Sequence, residues 1–191
     1  SPEMLALCRQ KAQQLGLQPT LYQQGMETLA LPRTYRTILV PSSSFQLVIE
    51  PTAASTALHH FFQHLAPGGT LVMAFLSYYM ADEQRPMITG EWQQEVTRPG
   101  DGAIVRRWSR STIDRVKQLE HTEDRYDVIV NGEVVASEAL SRSPATRIYT
   151  QDQVVKLYES AGFTNLRVTG GFTLQPATPT DAVFTVLGTK S

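Results

Sequence analysis

A single cysteine, Cys8, stands among 191 residues. That excludes an intrachain disulfide and any cysteine-rich zinc site. Free cysteine is among the most buried residue types, so Cys8 is expected on the inner face of a helix. Long apolar runs are lacking as well, the longest falling far short of the ~20 residues that a transmembrane helix needs. The N-terminus has neither the basic region nor the apolar core of a secretory signal, and a cytoplasmic protein without membrane partners is expected. Charge of one sign does not accumulate: 17 Lys and Arg face 18 Asp and Glu, for a net charge of -1. Such a balance offers no electrostatic footprint for nucleic acid. No serine, cysteine or threonine has a recognisable base partner, so hydrolase chemistry has no support and no catalytic side chain is assigned. His60 and His64 have the spacing of two metal ligands on one helix face, but the run His60-Phe61-Phe62-Gln63-His64 lacks a glutamate between them and a third ligand elsewhere. No metal is expected.

What is present reads as an α/β chain with an antiparallel interruption. Residues 1–15 carry Met4, Leu5, Cys8, Ala12 and Leu15 at helical spacing, with Pro2 in the first turn and Gly16 at the stop. Residues 20–24 and 36–40 are strand candidates, the second ended by Pro41 and three serines. A helix is predicted over 52–65, from the stripe Ala54, Ala57, Leu58, Phe61, Phe62 and Leu65. The continuous apolar run 71–76 predicts a central strand covered on both faces. From about 90 to 149 polar and apolar residues alternate instead, with strands at 104–109 and 125–130 and a return strand at 133–141. Asn131-Gly132 is the hairpin signal between the last two. Helical spacing resumes over 151–161, and strands at 165–169 and 182–187 complete the chain.

Several runs, taken in order, resemble one family. Ser1-Pro2-Glu3-Met4-Leu5 opens what looks like the helix after a second strand, Leu65-Ala66-Pro67-Gly68-Gly69 is similar to a turn before a fifth strand, and Ala161-Gly162-Phe163 to one before a sixth. Together they resemble the class I S-adenosylmethionine-dependent methyltransferases, especially small-molecule members with a late antiparallel insertion. The resemblance implies an incomplete Rossmann-like sheet containing strands 3 to 7 of an order 3-2-1-4-5-7-6, as one domain over residues 1–191. The family's glycine-rich cofactor loop would lie before residue 1, either lost or belonging to a longer natural protein. With the two middle strands missing, strand 4 would become an apolar edge. Residues 20–24 would then move beside 36–40, or a second chain would cover the edge, and a homodimer is the favoured expectation.

The resemblance also places a site. S-adenosylmethionine is the implied cofactor and a small molecule the implied methyl acceptor. Gly25, Met26 and Glu27 fall in the loop that reads adenine, with Gly25 where the family commonly has an aspartate and Glu27 as its partial substitute. The alternative for Gly25 is a turn requiring positive φ. Ser42 and Ser43 align with the segment beside the sulfonium, the alternative being a solvated turn leading to a helix cap. Phe45, Tyr78, Trp92 and Tyr149 sit where the family lines its acceptor pocket, suited to holding a cation over a π face, or else they pack the core. Arg106, Arg107 and the stretch 142–147 add positive charge to the insertion, or simply form a solvated sheet face. Two functions remain open: a methyltransferase-like protein with impaired cofactor binding, or a noncatalytic binding or dimerisation module derived from one.

Overall fold

The structure is a computed structural model that describes residues 1–77 and 88–191, the side chains of 88–93 excepted. Two four-stranded sheets carry it. The first has the order β1-β2-β8-β7, from β1 (Tyr35–Val40), β2 (Leu65–Leu76), β7 (Thr164–Gly170) and β8 (Val183–Thr189). β1 and β2 run parallel, and β8 is antiparallel to both β2 and β7. This is the 4-5-7-6 portion of the sheet that the resemblance implies. The second sheet is a meander, β3 (Ile88–Thr97), β4 (Ile104–Asp114), β5 (Leu119–Val130) and β6 (Glu133–Arg147), all neighbours antiparallel. Asn131 and Gly132 both take positive φ between β5 and β6, as a two-residue type I′ hairpin requires.

Helices α1 (Pro2–Gln14), α2 (Pro51–His64) and α3 (Gln151–Ser160) follow their predicted stripes closely in extent. α3 starts with a reciprocal cap, the Thr150 hydroxyl accepting from the Gln153 amide and the Gln153 side chain accepting from the Thr150 N–H. α2 and α3 cover one face of the first sheet. There Ala54, Ala57 and Leu58 meet Leu71, Met73 and Phe75 of β2, and Val154 and Tyr158 meet Phe184 and Val186 of β8. Tyr158 is fully buried and its hydroxyl donates to the Val186 carbonyl at 3.0 Å.

Four expectations fail here. Residues 20–24 form no strand, so nothing among the described residues pairs with the outer edge of β1. β2 begins at Leu65 rather than after the glycines, because Leu65 already pairs with Tyr35 of β1 and Lys190 holds Gly68 and Gly69 through backbone bonds of 2.8 and 2.9 Å. β2 is covered fully on one face and in part on the other: Leu71, Met73 and Phe75 are buried, and on the second face Ala74 is buried too, while Leu76 and Leu39 of neighbouring β1 are 39% and 63% exposed. Cys8 is exposed, since Ala12 is the one α1 residue buried. Helical periodicity identified α1, but little of the described chain packs on its stripe.

The second sheet uses its arginines in pairs rather than as a free basic patch. Arg106 pairs with Glu95, Arg110 with Glu123 and Arg125 with Asp127. Arg107 Nε and Nη2 both donate to Oδ1 of the buried Asp124, at 3.0 and 2.8 Å. Burial pushes the Asp124 carboxyl up, but hydrogen bonds from Arg107 and Ser109 and the Arg107 charge outweigh it and hold the value below the usual aspartate range.

Two predictions follow from this packing. A methyl group added at Gly188 would sit 2.6 Å from the Tyr158 ring and 2.8 Å from Leu166. Gly188→Ala therefore costs about 1–3 kcal/mol, read as a lowered urea midpoint; an unchanged midpoint would show that β8 can shift away from α3. Because the Asp124 pKa is depressed on folding, its stabilisation is present above the unfolded value of about 3.9 and is lost as pH falls through the folded one. Urea midpoints should show that Asp124→Asn flattens the acid fall in stability below about pH 4 and leaves the pH 5–7 slope unchanged.

Candidate functional site

The loop between α1 and β1 is fixed by two side chains. The Gln24 amide closes a ring with Ala30, Nε2 donating to its carbonyl at 3.0 Å and Oε1 accepting from its N–H at 2.9 Å. His64, near the end of α2, accepts the Leu31 N–H on Nε2 at 2.8 Å, while its Nδ1 lies 2.8 Å from the His60 carbonyl. Those partners select the tautomer with the proton on Nδ1. The His60 and His64 pair is thus explained by backbone bonding, and no group of three potential metal ligands occurs among the described residues.

So held, Gly25, Met26 and Glu27 line a groove of about 350 Å³ opposite residues 47–50 and Ala53. The three residues assigned to adenine come together in one place. Gly25 has φ -78°, so it is not the positive-φ turn considered above. A Cβ there would lie 2.8 Å from Glu27 Oε1, the far end of a flexible side chain that can swing aside. Glu27 folds over Gly25, and its carboxylate is the one ionised acceptor on that side of the groove; Glu50 stands on the other.

After β1 the chain turns sharply. Ser42 and Ser43 both adopt left-handed backbone, φ 52° and 56°, which costs a non-glycine residue on the order of 1 kcal/mol or more. Ser43 makes no side-chain cap, and its hydroxyl donates to the Ser42 carbonyl at 2.6 Å. The turn leads into a short 3-10 segment, Ser44–Leu47, that buries Phe45 and Gln46. Gln46 is the anchor. Its Oε1 accepts the Leu76 N–H at 2.7 Å, and its Nε2 donates to the carbonyls of Leu76 and Arg147 at 3.0 and 2.9 Å. Arg147 reciprocates through Nε to the Ile49 carbonyl at 2.5 Å. The turn after β1, the end of β2 and the end of the antiparallel sheet are thereby one unit.

The aromatic residues divide. Phe45 is fully buried and packs with Phe75 and Tyr149, each pair of ring centroids 6.0 Å apart, and Phe75 stacks on Phe184 at 5.3 Å. Tyr149 is 7% exposed, and its buried hydroxyl has no hydrogen-bond partner among the described residues. Burial pushes that phenol up, opposed by the nearby Arg147 charge. An unpaired buried hydroxyl is unusual, since most such groups find a partner. Tyr78 lies outside the described residues. Trp92 lies in β3 opposite Trp108, its side chain outside the description. Sequence reasoning missed Gln24, Gln46 and the role of His64, since a polar residue in a loop carries no periodic signal.

Comparison with known structures agrees with the fold. The chain superposes on an S-adenosylmethionine-dependent methyltransferase from Clostridium acetobutylicum ATCC 824 with a TM-score of 0.80 at 18% identity, over 99% of this chain and 72% of that one. The fold is that of the class I S-adenosylmethionine-dependent methyltransferases. CalS10, an amino pentose methyltransferase from Micromonospora echinaspora involved in calicheamicin biosynthesis, matches with a TM-score of 0.66 at 21% identity, over 100% of this chain and 71% of that one. The sugar N-methyltransferase KedS8 from Streptoalloteichus sp ATCC 53650 matches with a TM-score of 0.64 at 18% identity, over 94% and 66%. No family model and none of the curated proteins matches the chain. In this methyltransferase fold the groove and the Ser42-Ser43 turn lie at the carboxyl end of β1, where open α/β sheets receive ligands.

Gln46→Leu keeps much of the volume and strands two or three buried backbone groups. We expect a loss of about 3 kcal/mol, or roughly 6–12 °C in Tm by scanning calorimetry; a change under about 2 °C would mean that Phe45 packing alone holds the turn.

Proposed function

We propose that this chain serves the transfer of a methyl group from S-adenosylmethionine to a small-molecule amine, of the kind named for the amino-sugar and sugar N-methyltransferases it resembles in fold. The observation that carries the reading is the groove at the carboxyl end of β1, with Gly25, Met26 and Glu27 on one wall and Leu47, Val48 and Ile49 on the other. Its chemistry fits an adenosyl group. Met26, Leu47 and Ile49 offer apolar surface to a flat base, and the Glu27 carboxylate can accept from an exocyclic amine or a ribose hydroxyl, a charge-assisted bond worth about 1.5–3 kcal/mol.

When bound, the cofactor supplies an electrophilic methyl group on a sulfonium. The chain's own residues position the acceptor beside it and keep water out, the main contributions such a displacement needs. Ser42 and Ser43 present hydroxyls and strained backbone at this end of the sheet, and the Tyr149 hydroxyl is a donor with no partner among the described residues. The resemblance assigns Tyr78 and Trp92 to the acceptor wall as well, while Phe45 lies in the core. With glycine at position 25 and a single flexible carboxylate two residues on, cofactor affinity is expected to be impaired.

A second reading, a noncatalytic module that pairs with another copy of itself, is favoured by one observation. The outer edge of β1 is unpaired among the described residues and displays Leu39, 63% exposed, which suits strand pairing across a homodimer. No helix is long and apolar enough to cross a membrane among the described residues.

Titration calorimetry with S-adenosylhomocysteine separates the two. The methyltransferase reading expects saturable binding that Glu27→Gln weakens about tenfold. No heat at millimolar ligand would overturn it and leave the dimer reading, for which light scattering must then give twice the 21.3 kDa chain mass.

A further inference from the structure

A second cavity opens between α2 and α3, and of the residues assigned to the proposed methyl transfer only Tyr149 is on its lining. Its volume is about 470 Å³, within the ~300–1,000 Å³ typical of small-molecule sites. Pro51 and Ala54 on α2 and Leu157 on α3 give it apolar walls. The ionised side chains on its lining are Arg147 and Lys156, both cationic, and no carboxylate is among them. Lys156 makes no ion pair or hydrogen bond among the described residues. Arg147 spends one N–H on the Ile49 carbonyl and another on that of Lys117, at 2.5 and 3.3 Å, from the five that a guanidinium carries. One side of the rim is closed by paired amide bonds between Gln118 and Gln153, at 3.0 and 2.7 Å.

We propose that this cavity is a ligand site separate from the methyl-transfer groove, for a small molecule with an apolar body and one carboxylate. The apolar walls favour a body that water hydrates poorly, while two cations with no opposing carboxylate give a net attraction for a single anionic head. A neutral ligand would gain the first contribution and forgo the second. A dianion or a polar sugar would lose contact with the walls.

The test uses the full chain and 2-naphthoate, with 2-naphthalenemethanol as the uncharged counterpart, in titration calorimetry at low salt. Naphthoate should bind saturably and at least about fivefold more tightly than the alcohol. Lys156→Glu should abolish that preference while leaving alcohol binding in place. Ser160→Trp, at the exposed rim, should weaken both ligands by filling the cavity. Lys156 and Ser160 are both on the exposed side of α3, and Lys156→Gln provides a milder second variant. Equal affinity for the two ligands, no saturation by about 5 mM naphthoate, or indifference to both Lys156→Glu and Ser160→Trp would each overturn the proposal. Because no cofactor enters this measurement, its result and that of the S-adenosylhomocysteine titration stand independently.

Discussion

Gln46 is the side chain through which the three segments at the carboxyl end of the first sheet hold one another. β2 finishes at Leu76 with an N–H and a carbonyl directed at the turn after β1, where no strand passes to pair with them. Gln46 takes both, as a neighbouring strand would, and uses its remaining N–H on the Arg147 carbonyl. A buried amide fully satisfied in this way adds rigidity, whereas the same amide with one partner missing would cost more than an apolar residue. That rigidity accounts for the left-handed backbone at Ser42 and Ser43. Strain of this kind persists where the surroundings over-determine it, and here Gln46, Phe45 and Arg147 clamp the following residues from three directions.

Much of the fold was legible because burial repeats with the period of the backbone. The stripes on α2 and α3 meet one sheet face, the alternation from β4 to β6 marks a half-exposed antiparallel sheet, and Asn131-Gly132 names its own turn. Failures occurred where periodicity says that a face is apolar but not what covers it. The α1 stripe has helical spacing, yet Cys8 is exposed and Met4 and Leu7 are largely so. The run 71–76 reads as apolar throughout, yet its two faces differ in cover. Residues 20–24 have the composition of a strand but pair with no strand among the described residues, and the loop they enter is held at Ala30 and Leu31 by Gln24 and His64.

The residues of the groove were reached in a different way. Gly25, Met26 and Glu27 were picked out by resemblance alone, and the structure folds the Glu27 carboxylate back against Gly25. Gln46 could not have been found so. Its partners lie 30 and 101 positions away, and one glutamine in a serine-rich turn looks like any solvated loop residue. The same holds for His64, whose bond to Leu31 spans 33 positions. The spacing of four from His60 carried no metal expectation, and nothing in the sequence signalled that the histidine bonds to backbone on both nitrogens.

The first turn of α2 separates the two cavities by very little. Ile49, Glu50 and Ala53 border the groove that holds Gly25 and Glu27, while Pro51 and Ala54 border the cavity facing α3. Alanine at 53 and at 54 keeps both walls thin, and successive helix positions differ by about 100° in direction, so one turn can serve both sides. Arg147 touches each: it lines the second cavity and donates to the Ile49 carbonyl beside the first. A carboxylate drawing on the free N–H groups of Arg147 would therefore act on the residue that shapes the groove wall. Coupling of that sort must be reciprocal, so the occupant of either cavity would alter affinity at the other by the same factor.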